Sequence, residues 1–315
     1  MKKWSDGVMD HWSHGSLKSS TPTLQHSSTP SFELISIGDR VRPGRYTVHS
    51  RFRRVTNFIH GSELVFLAEE SVGGGPLTLL ARGADLPAID RLEISDERLA
   101  TSRETILLNG IARYISSVEW EKAPAQPSRA KIEELKRRIL LEAHPGSMAF
   151  LLRHGPQKPS SSEFDRTLAQ RLTDGARLLQ NALAYNHPTC LARGIQTLKG
   201  CGKGLTPSGD DYLAGCLTAL HSIPEIKRRK KEKLIRRIEH LSEGNNPLTN
   251  AFLRMAGECR LFEPMKLFIE AFSSGGKTEL AAGVRRILAH GETSGADWAT
   301  GFVMTLESMT LGRNN

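Results

Sequence analysis

Two stretches of the sequence carry the same pattern of polar residues. Both "SGDDYLAG" (Ser208–Gly215) and "SGADWATG" (Ser294–Gly301) read Ser-Gly-x-Asp-aromatic-x-x-Gly. A hydroxyl followed three residues later by a carboxylate, both in the first turn of a helix, can orient an amide or exchange a proton with a substrate. The repeat predicts two helix starts of one design that face a shared pocket. We expect the last glycine of each stretch, Gly215 and Gly301, to let the two helices pack closely.

A glycine-rich segment, "GCGKG" (Gly200–Gly204), precedes the first stretch. Glycines free the backbone to adopt positive φ, at a cost in chain entropy on folding. The usual gain ahead of a helix is the close approach of backbone N–H groups to an anion, to which Lys203 could add a cation. The segment therefore predicts an anion-binding loop. Tight packing against another backbone is an alternative explanation.

Helix capping explains part of the first stretch without any ligand. Ser208 and Asp211 have the spacing of a capping box, or else Thr206 is the N-cap and Pro207 takes the first helical position. Two independent capping boxes on two buried helices therefore remain the alternative to a shared pocket.

These motifs nominate a set of site residues. Three carboxylates are candidates for catalysis: Asp211, Asp297 and Asp210. Backbone and hydroxyl groups that would bind the substrate come from Gly202, Gly204, Leu205, Thr206, Ser208, Gly209, Thr293, Ser294 and Gly295. Histidine titrates near neutrality, but a single histidine at a helix end, such as His290, is more often a partner of the helix dipole. No protein set of metal ligands is predicted, although the aspartates could bind Mg²⁺ if other oxygen ligands joined them.

Two regions of different character must position these motifs. Residues 31–122 contain short segments rich in β-branched and aromatic residues, separated by turn signals such as "RPGR" and "GGGP". From residue 123 to 315 the apolar spacing is helical. The predicted fold class is α+β: an N-terminal antiparallel β sheet or small barrel, then a C-terminal all-α helical domain that carries the glycine-rich motif. Residues 1–30, with little apolar surface to bury, are predicted to be a disordered tail.

The composition argues against several classes of protein. The chain has 315 residues, 38% of them hydrophobic, and a net charge of +9. No apolar run is long enough for a membrane helix, no secretory signal is recognisable, and the four scattered cysteines suggest neither a disulfide framework nor a zinc ribbon. We therefore expect a cytoplasmic protein without a membrane partner. Much of the net positive charge lies in Ile226–His240, which lacks base-stacking aromatics and predicts a solvated helix face rather than a nucleic-acid site.

The long central motif resembles that of a known family. "GCGKGLTPSGDDYLAG", the later "GETSGADWATG", and "VHSRFRRVTNFIHGSELVFL" with "GGGPLTLL" are similar to the AllH family over roughly residues 40–312. The resemblance implies a subunit of oxamate carbamoyltransferase, which in anaerobic allantoin (purine) degradation converts oxalurate and phosphate to oxamate and carbamoyl phosphate. It also implies FdrA-type and other transferase subunits as partners. Cys201 and Lys203 stand where the family is expected to have apolar residues or proline.

Two functions remain open from the sequence. The first is a subunit of a carbamoyltransferase that binds a small anion (carbamoyl phosphate, phosphate or an oxalurate-like compound) at the paired helix N-termini. No nucleophile with an adjacent base is evident, which favours direct transfer, with Asp211 or Asp297 orienting an amide or acting as a base. The second is a non-catalytic ligand-binding or scaffold subunit of a multi-subunit acyl- or carbamoyl-transferring complex. No cofactor is firmly implied, although Mg²⁺ is possible.

Overall fold

The fold consists of a sheet followed by helices, and this confirms the predicted α+β class. The prediction of a tail at residues 1–30 lies outside the described part of the chain. Residues 31–315 form one compact unit. The computed structural model describes residues 32–83, 88–118, 128–153, 163–224 and 226–311.

The strands lie in one curled sheet that forms a half-barrel. The strands in the described residues are β1 (Glu33–Gly38), β2 (Gly44–Arg51), β3 (Val55–His60), β4 (Glu63–Glu69), β5 (Thr78–Arg82), β6 (Arg91–Ile94), β7 (Arg98–Thr101), β8 (Thr105–Leu107) and β9 (Ala112–Tyr114). Their order across the sheet is β8-β7-β6-β2-β3-β4-β5-β1-β9. The sheet is not purely antiparallel as predicted, because the β4–β5 and β1–β9 pairs are parallel. The connection from β4 to β5 crosses over through a 3-10 helix, Glu70–Val72, instead of turning back.

Strand β4 is buried on both faces because its apolar run is continuous. Val65 and Leu67 join the apolar cluster enclosed by the curled sheet. Leu64 and Phe66 point the other way and join a cluster that includes residues of a helix. The sheet therefore packs on the helical part of the chain through the outer face of its central strands.

The second part of the chain is helical, as predicted. The α-helices in the described residues are α1 (Arg129–Glu142), α2 (Glu163–Tyr185), α3 (Pro188–Leu198), α4 (Ser208–His221), α5 (Arg228–Ser242), α6 (Pro247–Gly257), α7 (Glu263–Ser274), α8 (Lys277–Leu288) and α9 (Ser294–Leu311), with a further 3-10 helix at Met148–Leu152. Among the described residues, no helix combines the length and the hydropathy that crossing a membrane requires.

The triple glycine ahead of β5 fixes the sheet against the start of α7. The N–H of Gly74 donates to the Glu263 carboxylate at 2.7 Å, and the N–H of Glu263 donates to the Gly74 carbonyl at 2.8 Å. Gly75 lies against the ring of Phe262, where a Cβ would come within 2.3 Å of a ring carbon. This joint closes one side of the space between the sheet and the helices.

Candidate functional site

Helices α4 and α9 lie side by side. A Cβ on Gly215 would lie 1.9 Å from the Trp298 carbonyl oxygen, and a Cβ on Gly301 would lie 2.0 Å from that of Tyr212. Each motif's glycine thus lies against the backbone of the other motif's aromatic residue. The close packing predicted for the two glycines is confirmed.

The starts of the two helices meet. The hydroxyl oxygens of Thr206 and Ser294 are 3.1 Å apart, although the residues are far apart in the sequence. Each aspartate also interacts with a serine of the other motif and a threonine of its own: Asp211 with Ser294 and Thr206, Asp297 with Ser208 and Thr293. The motifs therefore form one cluster of carboxyl and hydroxyl groups rather than two separate helix caps.

Neither of the capping arrangements considered for α4 is present. The helix begins at Ser208, and its N-cap residue is Pro207, whose carbonyl accepts the N–H groups of Asp210 (2.9 Å) and Asp211 (3.1 Å). The side chains of Thr206 and Ser208 interact with α9 instead of capping their own helix. Contacts between the two helices override the local capping preference.

The glycine-rich loop wraps around the start of α4. Gly200 has φ of 65°, and its N–H donates to the Asp210 carboxylate at 3.0 Å. Gly202 has φ of 144°, and a Cβ there would lie 2.3 Å from the Ser208 nitrogen. Gly204 has φ of 90° and open space around its Cα. Tight packing, the alternative left open by the sequence, accounts for Gly202, and Asp210 serves as an acceptor for the loop.

The first glycine of each motif, Gly209 or Gly295, has the same structural role in both copies. The N–H of Gly209 donates to the Cys201 carbonyl at 2.8 Å, and the N–H of Gly295 donates to the His290 carbonyl at 3.0 Å. A Cβ on Gly209 or Gly295 would lie 2.0 or 1.8 Å from a carbonyl oxygen of the preceding helix. The pairs α3–α4 and α8–α9 are thus built alike, and both N–H groups bind protein carbonyls.

A cavity of about 810 Å³ opens between the sheet and the helices, beside the starts of α4 and α9. Of the predicted site residues, the cavity wall contains Leu205, Thr206, Asp211 and Ser294. The others lie outside this wall: Asp210, Asp297, Gly202, Gly204, Ser208, Gly209, Thr293 and Gly295.

Arginine side chains give the cavity a positive wall. Arg53 and Arg54 come from the connection between β2 and β3, Arg286 from the last turn of α8, and Arg260 from the segment after α6. Arg260 forms an ion pair with Asp39 at 3.2 Å. Within the described residues, the other three arginines make no ion pair with a carboxylate. They are exposed and positioned to bind an anion.

The remaining wall is mainly apolar and comes from other elements. Phe252 of α6 and Phe262 before α7 pack edge to face, with ring centroids 5.3 Å apart. Further apolar wall residues are Val72, Ala214, Leu248, Met255, Ala256, Leu261, Pro264, Met265 and Trp298.

The aspartates of the cluster are unusually hard to ionise. Burial raises the pKa of Asp211 well above its ordinary value, the Asp297 charge raises it further, and the Ser294 and Thr206 hydroxyls lower it. Burial raises the pKa of Asp297 to about 6, against hydrogen bonds that include the Met148 N–H. The Oδ2 atoms of both carboxyls are buried without a hydrogen-bond partner among the described residues. A carboxyl with a raised pKa can donate a proton near neutral pH.

Asp210 titrates in a different setting. Burial raises its pKa to about 6, and the hydrogen bond from the Gly200 N–H lowers it. The Asp210 carboxylate accepts a hydrogen bond from the glycine-rich loop and lies outside the cavity wall. Unlike Asp211, it therefore does not face the cavity.

His290 lies in the cavity wall, although a role as a partner of the helix dipole was the favoured prediction. Burial lowers the pKa of His290, and the nearby Arg54 charge lowers it further. The ring is therefore neutral near pH 7 and can accept a proton. Arg53 and Arg54 belong to the "RFRR" run, which was part of the resemblance to the AllH family but was not predicted to line a site.

Within the described residues, there is no group of three or more His, Cys, Asp and Glu side chains that could hold a metal ion. The possible Mg²⁺ stays a prediction.

The glycine loop and both motifs fall within one region of similarity to known proteins. Residues 198–306 match the AllH family. The family is described as oxamate carbamoyltransferase subunit AllH, and the match confirms the resemblance for this region. The matched region covers α4 and most of α9 but not the sheet, so it is narrower than the span expected from the sequence. No solved structure matches the chain.

Proposed function

We propose that this protein is a cytoplasmic carbamoyltransferase subunit whose substrate binds in the cavity between the sheet and the helices. One observation carries the proposal: Asp211 and His290 share a cavity wall with three arginines that have no carboxylate partner among the described residues. A carbamoyl donor needs both an anion site and groups that exchange protons. The AllH description supplies the class of reaction.

In this proposal the arginines, rather than the N–H groups at the helix starts, bind the anionic group of the substrate. The first-turn N–H groups of Gly209 and Gly295 already donate to protein carbonyls. Guanidinium groups bind carboxylate and phosphate through paired hydrogen bonds. The helix starts contribute the side chains of Thr206, Asp211 and Ser294, which hold the carbamoyl group.

The reaction requires one bond to form and one to break at the carbamoyl carbon. A phosphate oxygen attacks this carbon, and the C–N bond to the oxamate nitrogen breaks. The leaving nitrogen needs a proton, which protonated Asp211 can donate because its pKa is raised. The attacking phosphate loses a proton, which neutral His290 can accept. Carbamoyl phosphate and oxamate are the products.

Asp297 acts in this proposal as a positioning residue. It is fully buried and accepts the Met148 N–H at 2.5 Å. Because it also interacts with Ser208, it ties the start of α4 to the start of α9. The partner subunits, FdrA-type and others, are expected to complete the enzyme.

The test is turnover by the reconstituted complex, measured as carbamoyl phosphate formed from oxalurate and phosphate. We expect Asp211→Asn to lower the rate about 100-fold, the usual contribution of a general acid. The control is Asp174→Asn on the exposed face of α2, where the carboxylate accepts only a local hydrogen bond from Gln170 among the bonds described.

If Asp211→Asn binds oxalurate and turns over at the wild-type rate, the subunit is a non-catalytic ligand-binding subunit, which is the alternative. If neither oxalurate nor phosphate binds the wild-type protein or its complex, the assignment of the cavity fails.

A further inference from the structure

We infer that the cavity takes carbamoyl compounds that carry an apolar side chain beside the carboxylate, of the class of N-carbamoyl derivatives of apolar amino acids. The inference rests on the proposed function and specifies its substrate class. Oxalurate joins its carbamoyl nitrogen directly to an oxalyl group and has no apolar substituent. Oxalurate would therefore leave most of the apolar wall of the cavity without a contact.

The size of the cavity is the first argument. Its volume of about 810 Å³ lies in the range of about 300–1,000 Å³ that encloses drug-sized ligands. A carbamoyl group with a carboxylate uses only the part near Asp211 and the arginines. The structure therefore has room for a further substituent.

The division of the wall between elements is the second argument. The groups that would hold the carbamoyl end come from the starts of α4 and α9, and Arg53 and Arg54 come from the connection between β2 and β3. Helix α6 and the start of α7 supply apolar side chains, with the paired rings of Phe252 and Phe262 and the flexible thioether of Met255. Such a surface binds aromatic and aliphatic groups.

The chemistry balances in the same way as for oxalurate. Phosphate attacks the carbamoyl carbon, a C–O bond forms, and the C–N bond to the amino acid nitrogen breaks. The leaving amine takes a proton from Asp211. The products are the free amino acid and carbamoyl phosphate, and no oxidant or reductant is needed.

A matched pair of ligands tests the inference by isothermal titration. N-carbamoylglycine has the carboxylate and the carbamoyl group without a side chain, and N-carbamoyl-L-phenylalanine adds the benzyl group. Burial of that group predicts that the phenylalanine derivative binds the wild-type protein roughly 10-fold or more tightly than the glycine derivative. Oxalurate is titrated in parallel.

Two variants locate the preference in the apolar wall. We expect Phe252→Ala to remove most of the preference while the affinity for N-carbamoylglycine stays within about twofold, because the anion site is intact. Phe252→Leu keeps an apolar side chain in contact with Phe66 and Phe262 and should retain part of the preference. Thermal melts in the absence of ligand show that each variant is folded.

The outcomes separate the inference from the proposed function. Equal affinity for both N-carbamoyl compounds, together with binding of oxalurate, overturns the inference and leaves the proposed function standing. Failure of all three compounds to bind overturns both. A preference that disappears when the partner subunits are added assigns the apolar wall to a subunit interface and also overturns the inference.

Discussion

Asp211 and Asp297 hold the same position in two copies of one motif, yet their surroundings differ. Asp211 lies in the wall of the cavity, whereas Asp297 has 0% of its surface exposed and accepts a backbone N–H from Met148. The 3-10 helix that begins at Met148 packs on the start of α9 through this bond. The two copies of the motif therefore have different surroundings: one aspartate faces the cavity, and the other joins the two helix starts to a neighbouring segment.

The contacts that join the two copies should matter most for stability. Valine at Gly301 would place a branched side chain where even a Cβ lies 2.0 Å from the Tyr212 carbonyl oxygen. We expect Gly301→Val to lower the free energy of unfolding by about 3 kcal/mol or to prevent folding. Urea denaturation measures the loss. Gly244→Ala is the control, since its nearest neighbour is the flexible end of Lys199 at 3.3 Å. Equal effects at both positions would show that the helices do not depend on this contact.

The two aspartates should differ in what their removal does to stability. Asp297→Ala leaves the Met148 N–H and the Ser208 hydroxyl without their acceptor in a buried place, at a cost of about 2–3 kcal/mol. Asp211→Ala removes a carboxyl whose charged form is poorly stabilised, so its free energy of unfolding near neutral pH should change little or rise. Denaturation of both variants at the same pH makes the comparison. If Asp211→Ala lowered the free energy of unfolding more than Asp297→Ala, Asp211 rather than Asp297 would be the residue that stabilises the fold.

The pH dependence of stability sharpens the same comparison. Asp297 has a folded pKa of about 6 against an ordinary value of 3.8, so the folded state binds more protons than the unfolded state between these values. Its contribution to stability is therefore lost as the pH rises from about 4 to about 6. We expect Asp297→Asn to remove this decline, which amounts to about 3 kcal/mol. Denaturation at a series of pH values tests this, and an unchanged decline would contradict it.

Lys203 lies in the glycine-rich loop before α4, and the segment before α9 has no matching lysine. Its substitution should have the smallest effect on ligand affinity. Its side chain is largely exposed and pairs with Asp165 at 2.9 Å on the surface. Because it lies outside the cavity wall, Lys203→Ala should change the affinity for oxalurate by less than about twofold, as expected of a surface ion pair. A loss of affinity of tenfold or more would indicate that the glycine-rich loop binds the anion.

The sequence predicted much of the helical pair and little of the cavity. The spacing of the two motifs was enough to predict that Gly215 and Gly301 pack together, because that contact depends on residues within each repeat. Arg53 and Arg54 come from a strand connection more than 100 residues before Asp211, and no local pattern links them to it. Their role depends on how the sheet packs on the helices.

Some local signals have two explanations. Pro188 follows the end of α2 at Tyr185 and also occupies the first turn of α3, where proline is well tolerated. Strands β6 and β7 were not predicted, because charged residues alternate with the few apolar ones in such short segments. In both cases tertiary packing decides which local preference is used.

The most direct measurement of the central claim is the affinity for oxalurate after the cavity arginines are neutralised. The double variant Arg54→Gln, Arg286→Gln is compared with Lys230→Gln, Arg237→Gln on the exposed face of α5, which removes the same charge from the molecule. The account predicts that the cavity variant binds oxalurate at least roughly 10-fold more weakly and that the α5 variant binds it like the wild type. Equal affinity in the two variants would contradict the account, because the cavity would then not be the anion site.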